Sequence, residues 1–153
     1  MSYTTVQLAP FYIIGLSVST KNANGQAQKD IGQLWQDWFS QNISAKIPNK
    51  LSEDIYNVYT EYESDHNGVY TSILGHRVDS LADTPAGLVG NTIQGGQFAL
   101  YQVQGELPAI VAQTWEKIWA ELSSKRLYSA DFDVYGPRVE GEPAKVKTYV
   151  SLV

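Results

Sequence analysis

The sequence predicts an α+β fold in which a β-α-β-β unit occurs twice, with two main helices over an antiparallel sheet and a cleft between the halves. Three observations predict it. Element types run strand, helix, strand, strand, and then the same again. The apolar face of the first helix (Ile31, Leu34, Trp35, Trp38, Phe39) maps onto Val111, Thr114, Trp115, Ile118 and Trp119 under the single shift that takes Trp35 to Trp115. The stretch "IYNVY" (Ile55 to Tyr59) returns as "DFDVY" (Asp131 to Tyr135) under a slightly shorter shift, which requires only an insertion or deletion between helix and strand. The expected organisation is one domain over 1–153, with a first half at about 3–80, a linker at about 81–95 and a second half at about 96–153.

Each element has a local reason. From Val6 to Val18 the chain alternates, interrupted by Pro10, so "FYIIGLSVS" reads as a strand beginning just after it. "TKNANG" is turn chemistry, and a helix opens near Gln26, its apolar residues spaced by three and four. Pro48 ends the pattern. "IYNVYTEY" and "VYTSILGHRV" form a hairpin through "ESDHNG", where Asn67 and Gly68 suit positive φ. "DSLADTPAGLVGNTIQGG" reads as a polar connection. "QFALYQVQ" is a strand, and Pro108 suits the first turn of the helix that follows, with apolar face Val111, Trp115, Ile118 and Leu122. "DFDVY" and "AKVKTYVSLV" are the last pair, joined through "GPRVEGEP".

Composition narrows the function. Hydrophobic residues make up 43 % and charged ones 18 %, as in a folded globular chain. A formal charge of −5 argues against direct nucleic-acid binding, which calls for a basic surface. With no cysteine, disulfides, thiolate catalysis and cysteine metal sites are excluded. The N-terminus lacks a basic leader region and no apolar run reaches membrane-spanning length, so a cytoplasmic protein without membrane association is expected. The histidines, His66 and His76, have no cysteine beside them, and Asp65–His66–Asn67 reads as a solvated turn, so neither metal nor cofactor is expected. No G-x-S-x-G is present, and "GNTIQGG" lacks the lysine and following helix of a phosphate loop.

The aromatic residues carry the stronger signal. All four tryptophans (Trp35, Trp38, Trp115, Trp119) lie on the two helices. Buried indole N–H groups require partners, so leucine or isoleucine would build a plain core with less difficulty. Flat aromatic walls suit planar or cationic guests, at roughly 0.5–2 kcal/mol per cation–π contact. Alternation sets Asp131, Asp133 and Tyr135 on one face of their strand and Phe132 and Val134 on the other. It leaves open whether the acidic face looks into a pocket or keeps an edge strand soluble in water.

These features resemble the GyrI-like ligand-binding domains, also found as effector domains of AraC-type and multidrug-responsive transcription regulators. The resemblance covers nearly the whole chain and rests on "IGQLWQDWF", "TWEKIW", "IYNVYTEYESDHNGVYTSILGHRV", "FDVYGP" and "KVKTYVSLV". It implies a duplicated, SHS2-like fold with a cleft that takes small amphipathic, often cationic compounds between aromatic walls above a buried acid. Where the family commonly has Phe-Glu-x-Tyr, this chain reads "FDVY", so Asp133 holds the acidic place with a shorter side chain. Glu61 and Glu116 are further candidate acids. The expected ligand contacts are Trp35, Phe39, Tyr59, Trp115 and Trp119 as walls, with Asp133 and Tyr135 giving polar orientation. The chain resembles stand-alone members carried on bacterial gene cassettes, and a binding module or sensor is expected rather than an enzyme. Alternatives are a small-molecule hydrolase acting in the same cleft and an inhibitor of a protein target. A homodimer through edge strands is not selected by any residue.

Overall fold

The computed structural model describes residues 3–65, 67–137 and 139–153; His66 and Arg138, the latter in the "GPRVEGEP" connection, lie outside them. Eight strands form one antiparallel sheet in the order β1-β6-β8-β7-β3-β4-β2-β5. They are β1 (Thr4–Leu8), β2 (Phe11–Thr20), β3 (Ile55–Thr60), β4 (Tyr70–Val78), β5 (Val89–Ile93), β6 (Gly96–Gly105), β7 (Ala130–Tyr135) and β8 (Ala144–Ser151). The helices are α1 (Gln26–Ser40), the short α2 (Ile43–Lys46) and α3 (Ala109–Leu122). The chain is α+β, and its two β-α-β-β units (β2-α1-β3-β4 and β6-α3-β7-β8) occupy the two halves of the sheet.

Reversing the strand order and exchanging each element for its counterpart reproduces the same order, so the sheet has an approximate twofold axis between β3 and β7. These two strands pair with Asn57 opposite Asp133, Ile55 opposite Tyr135 and Tyr59 opposite Asp131. Burial repeats too: Leu34 and Trp38 in α1 and Thr114 and Ile118 in α3 are buried at equivalent positions.

Four expectations need correction. The polar connection contains strand β5, antiparallel to β2, and the segment before Pro10 is strand β1, antiparallel to β6. Both are edge strands that bury little: in "VGNTI" only Ile93 is fully buried, and in "TTVQL" no residue is. A half-wet edge leaves a faint alternation in sequence. As a result, each half gives its leading strand to the other half's sheet. The β3–β4 connection differs as well: Gly68 does not adopt positive φ, whereas Glu61 does, at 53°, and Asp65 Oδ1 accepts the Asn67 N–H at 2.8 Å. Pro108 stands at the N-cap of α3, one place before the helix.

The sheet separates two interiors. Phe11, Ile13, Val58, Ile93, Phe98, Phe132 and Val134 form a core on the face away from the helices. Val6 and Leu8 from one edge and Ile93 from the other pack on that single cluster. Eight flat strands would hold those edges some 34 Å apart at ~4.8 Å per strand, so the sheet must curl. Gly15 and Gly75 pair directly, and a Cβ on either would meet the other strand's backbone oxygen at 2.1 and 2.2 Å, an approach only glycine permits. On the helix face, α1 covers Ile14, Leu74 and Val78, while α3 covers Ala99, Tyr101 and Val150. Between the helices the sheet stays uncovered.

Candidate ligand-binding cavity

The uncovered strip is a cavity of about 850 Å³. Ile31, Trp35 and Phe39 of α1 form one wall and Val111, Trp115 and Trp119 of α3 the other. Ile55, Asn57 and Tyr59 of β3 and Tyr135 of β7 form the floor, and Tyr62, Tyr70 and Arg126 close one end. Trp38 is not among the lining residues: it is buried against the His76 ring, with centroids 5.2 Å apart.

The walls are held by two copies of one contact. Trp35 meets the Tyr135 ring edge-on at 5.1 Å and 86°, and Trp115 meets Tyr59 at 5.4 Å and 87°. Under the twofold axis these are the same pair, because the axis exchanges Trp35 with Trp115 and Tyr59 with Tyr135. Phe39 and Trp119, again equivalent, are 68 % and 42 % exposed and form the rim. Trp35 also stacks on Phe39 at 6.1 Å and 28°, and the Arg126 guanidinium lies 5.4 Å over the Trp115 ring.

Charge breaks the symmetry. Asn57 and Asp133 are equivalent and face one another across the axis, and both are fully buried. Asp133 lies just beneath the floor. Its Oδ2 accepts from the Tyr59 hydroxyl at 2.7 Å and from Trp115 Nε1 at 3.3 Å, and its Oδ1 accepts from the Thr148 hydroxyl at 2.5 Å. Burial pushes its carboxyl up from 3.8 to about 6, and those three hydrogen bonds hold it from rising further. Asp131 is as deeply buried but neutralised: Arg126 Nη2 lies 2.7 Å away, and Tyr62 and the Ser151 N–H also donate to it. Asp133 has no cation of its own among the described residues. Burial, with the charge of Asp133 next, also raises the phenols of Tyr59 and Tyr135, so both stay protonated at neutral pH.

Six of the seven residues expected from sequence therefore line the cavity (Trp35, Phe39, Tyr59, Trp115, Trp119 and Tyr135), and the seventh, Asp133, is hydrogen-bonded to two of them. The face of Asp131, Asp133 and Tyr135 looks toward the helices, and Phe132 and Val134 enter the opposite core. Glu61 and Glu116 are exposed and do not line the cavity. Sequence reading missed Tyr62, Tyr70, Asn57 and Arg126. Arg126 lies in an irregular segment where no periodicity marks it, although an arginine five residues before a strand aspartate was a usable hint.

His76 has a structural setting. Its Nδ1 donates to the Asp54 carbonyl at 2.8 Å, so Nε2 accepts from Ser44 at 2.7 Å, and burial lowers its pKa. No group of three or more potential metal ligands occurs among the described residues, and no helix is long and apolar enough to cross a membrane.

The family model described as integron-associated effector binding protein matches residues 4–152. The chain is 27 % identical over 143 residues to YobU of Bacillus subtilis (strain 168), named there as a transcriptional regulator, covering 90 % of this chain and 89 % of that protein. Its fold is similar to SAV2435 bound to tetraphenylphosphonium, with TM-score 0.84, 19 % identity, and 100 % and 94 % of the two chains covered. It is also similar to an integron cassette protein from the mobile metagenome of Vibrio cholerae, with TM-score 0.78, 23 % identity and coverage of 100 % and 97 %.

Proposed function

Because the chain belongs to the integron-associated effector binding protein family, we propose that it is a receptor for small, lipophilic organic cations that lodge between α1 and α3. One observation carries the reading: the Asp133 carboxylate, without a counter-cation among the described residues, lies under the Tyr59 and Trp115 groups that form the floor and wall. At neutral pH its value of about 6 leaves it mostly ionised. A guest cation about 5 Å away at an effective dielectric near 20 would gain roughly 3 kcal/mol from it. The aromatic faces add apolar burial and cation–π attraction. Trp35, Phe39, Tyr59, Trp115, Trp119 and Tyr135 make the direct contacts, and Asp133 acts through its two ring partners. Tetraphenylphosphonium, bound by the similar SAV2435, is a guest of this class. Both oxygens of Asp133 are occupied by donors, which favours an electrostatic role over that of a base acting on water.

Tryptophan fluorescence titration tests this reading. Tetraphenylphosphonium and the neutral triphenylphosphine oxide are each titrated into the native protein and into Asp133→Asn, and each ligand is compared only with itself. A loss of about 10- to 100-fold for the cation, with a change of less than about threefold for the oxide, is expected. Equal losses would remove the electrostatic role, and no quenching of the native protein by either ligand would remove the receptor.

A further inference from the structure

On the sheet face opposite the cavity lies a second, smaller pocket of about 90 Å³, lined by Leu8, Ala9, Phe11, Tyr56, Arg77, Phe132 and Tyr149. We infer that it is a binding site for a small oxyanion, a carboxylate or phosphate, held by the Arg77 guanidinium and the hydroxyls of Tyr56 and Tyr149. The inference is independent of the receptor reading.

Alternation along the strands places this constellation away from the acids. Arg77, Tyr56, Phe132 and Tyr149 are sequence neighbours of His76, Asn57, Asp133 and Thr148, which project to the other face. The pocket is bounded by a stack. Tyr149 lies on Phe132 at 4.7 Å and 17°, Tyr56 on the same ring at 5.9 Å and 30°, and Phe11 meets it edge-on at 5.3 Å. Two phenols therefore bracket an apolar ring, with Arg77 set 4.7 Å over Phe11.

The guanidinium is held without an acid. Among the described residues the ion pairs are Lys50–Glu53 and Arg126–Asp131, and neither includes Arg77. Arg77 Nε is buried with no hydrogen-bond partner among the described residues, and the guanidinium lies close enough to Tyr56 to act on its phenol. In a chain of net charge −5, a half-buried arginine without an ion-pair partner among the described residues is available to an outside anion. Asp54 is the acid whose charge reaches Tyr56, yet it makes no ion pair with Arg77. Burial raises both phenols, so they remain donors at neutral pH. A fork of N–H donors flanked by two O–H donors matches a planar or tetrahedral oxyanion. At about 90 Å³ the pocket is roughly a tenth of the main cavity's 850 Å³, a size suited to a small ion and not to an organic guest.

The probes are acetate and inorganic phosphate, added to the full chain at ionic strength matched with sodium chloride. Thermal melting and the ¹⁵N resonance of Arg77 Nε are read together. A rise of about 1 °C or more over chloride, with a saturable shift of that resonance, is expected. Arg77→Met should abolish both effects, and Tyr149→Phe, which keeps the ring stack and removes one donor, should weaken binding about threefold or more. If Arg77→Met does not fold, Tyr149→Phe decides. A response to acetate alone identifies a carboxylate site, to phosphate alone a phosphate site, and to both a general oxyanion site. No anion-specific response in the native protein, or a response undiminished in Tyr149→Phe, overturns the inference.

Discussion

Replacing Asp133 by asparagine should make the protein more stable at neutral pH even as, on the proposed function, it weakens cation binding. Asparagine has nearly the same shape. Its amide oxygen can take the place of Oδ2, accepting from Tyr59 and Trp115, while its NH₂ faces a Thr148 hydroxyl turned to accept. What disappears is the cost of keeping a charge in a dry site. The shift from 3.8 to about 6 is roughly two pKa units, or about 3 kcal/mol at 1.36 kcal/mol per unit. Because the folded value is raised, the carboxyl contributes stability that is fully present below about pH 4 and is lost as pH rises through about 6. The variant should therefore gain nothing at pH 4 and about 3 kcal/mol above pH 7. Urea denaturation of both proteins from pH 4 to 8 measures the difference. In thermal melts at pH 7.5 the gain corresponds to roughly 6–12 °C for a domain of this size. A stability difference that stays flat from pH 4 to 8 would refute the assignment of a strained, unneutralised carboxylate.

Two further outcomes are expected. Affinity for tetraphenylphosphonium should fall about tenfold between pH 7 and pH 5 as Asp133 takes up a proton near pH 6, while triphenylphosphine oxide should bind equally at both, as read by fluorescence titration. Ile93→Ala, in an edge strand buried through that single side chain, should cost about 2–5 kcal/mol in denaturant titrations and raise amide exchange along Val89–Ile93 and in facing β2.

The central architecture was readable because its elements carry strong periodic signals. Rings at spacings of three and four on both helices, and an echoed strand, identified the duplication and the walls. The edge strands were not readable: a strand with one buried side chain, such as Val89–Ile93, looks in sequence like the glycine-containing connection around it. At the site, alternation put Asp131, Asp133 and Tyr135 on one face but could not show which acid would be neutralised. That depends on Arg126 and Tyr62, whose contacts with Asp131 form only when a connecting segment and the residues just past β3 meet β7. Nor could sequence show that Trp115 donates its indole N–H to Asp133, since the bond links helix to sheet.

The traded leading strands have a mechanical consequence. Because β1 is zipped to β6 and β5 to β2, swinging the halves apart like a clam would mean peeling a strand from its neighbour. The floor is thus a plate braced at both edges, and on the proposed function accommodation of guests of different bulk would fall to the rods above it: α1, which rests on β2 and β4, and α3, which rests on β6. Breadth of recognition would then reside in the tilt of two helices and the swivel of Phe39 and Trp119, while the plate keeps the negative charge at a fixed depth.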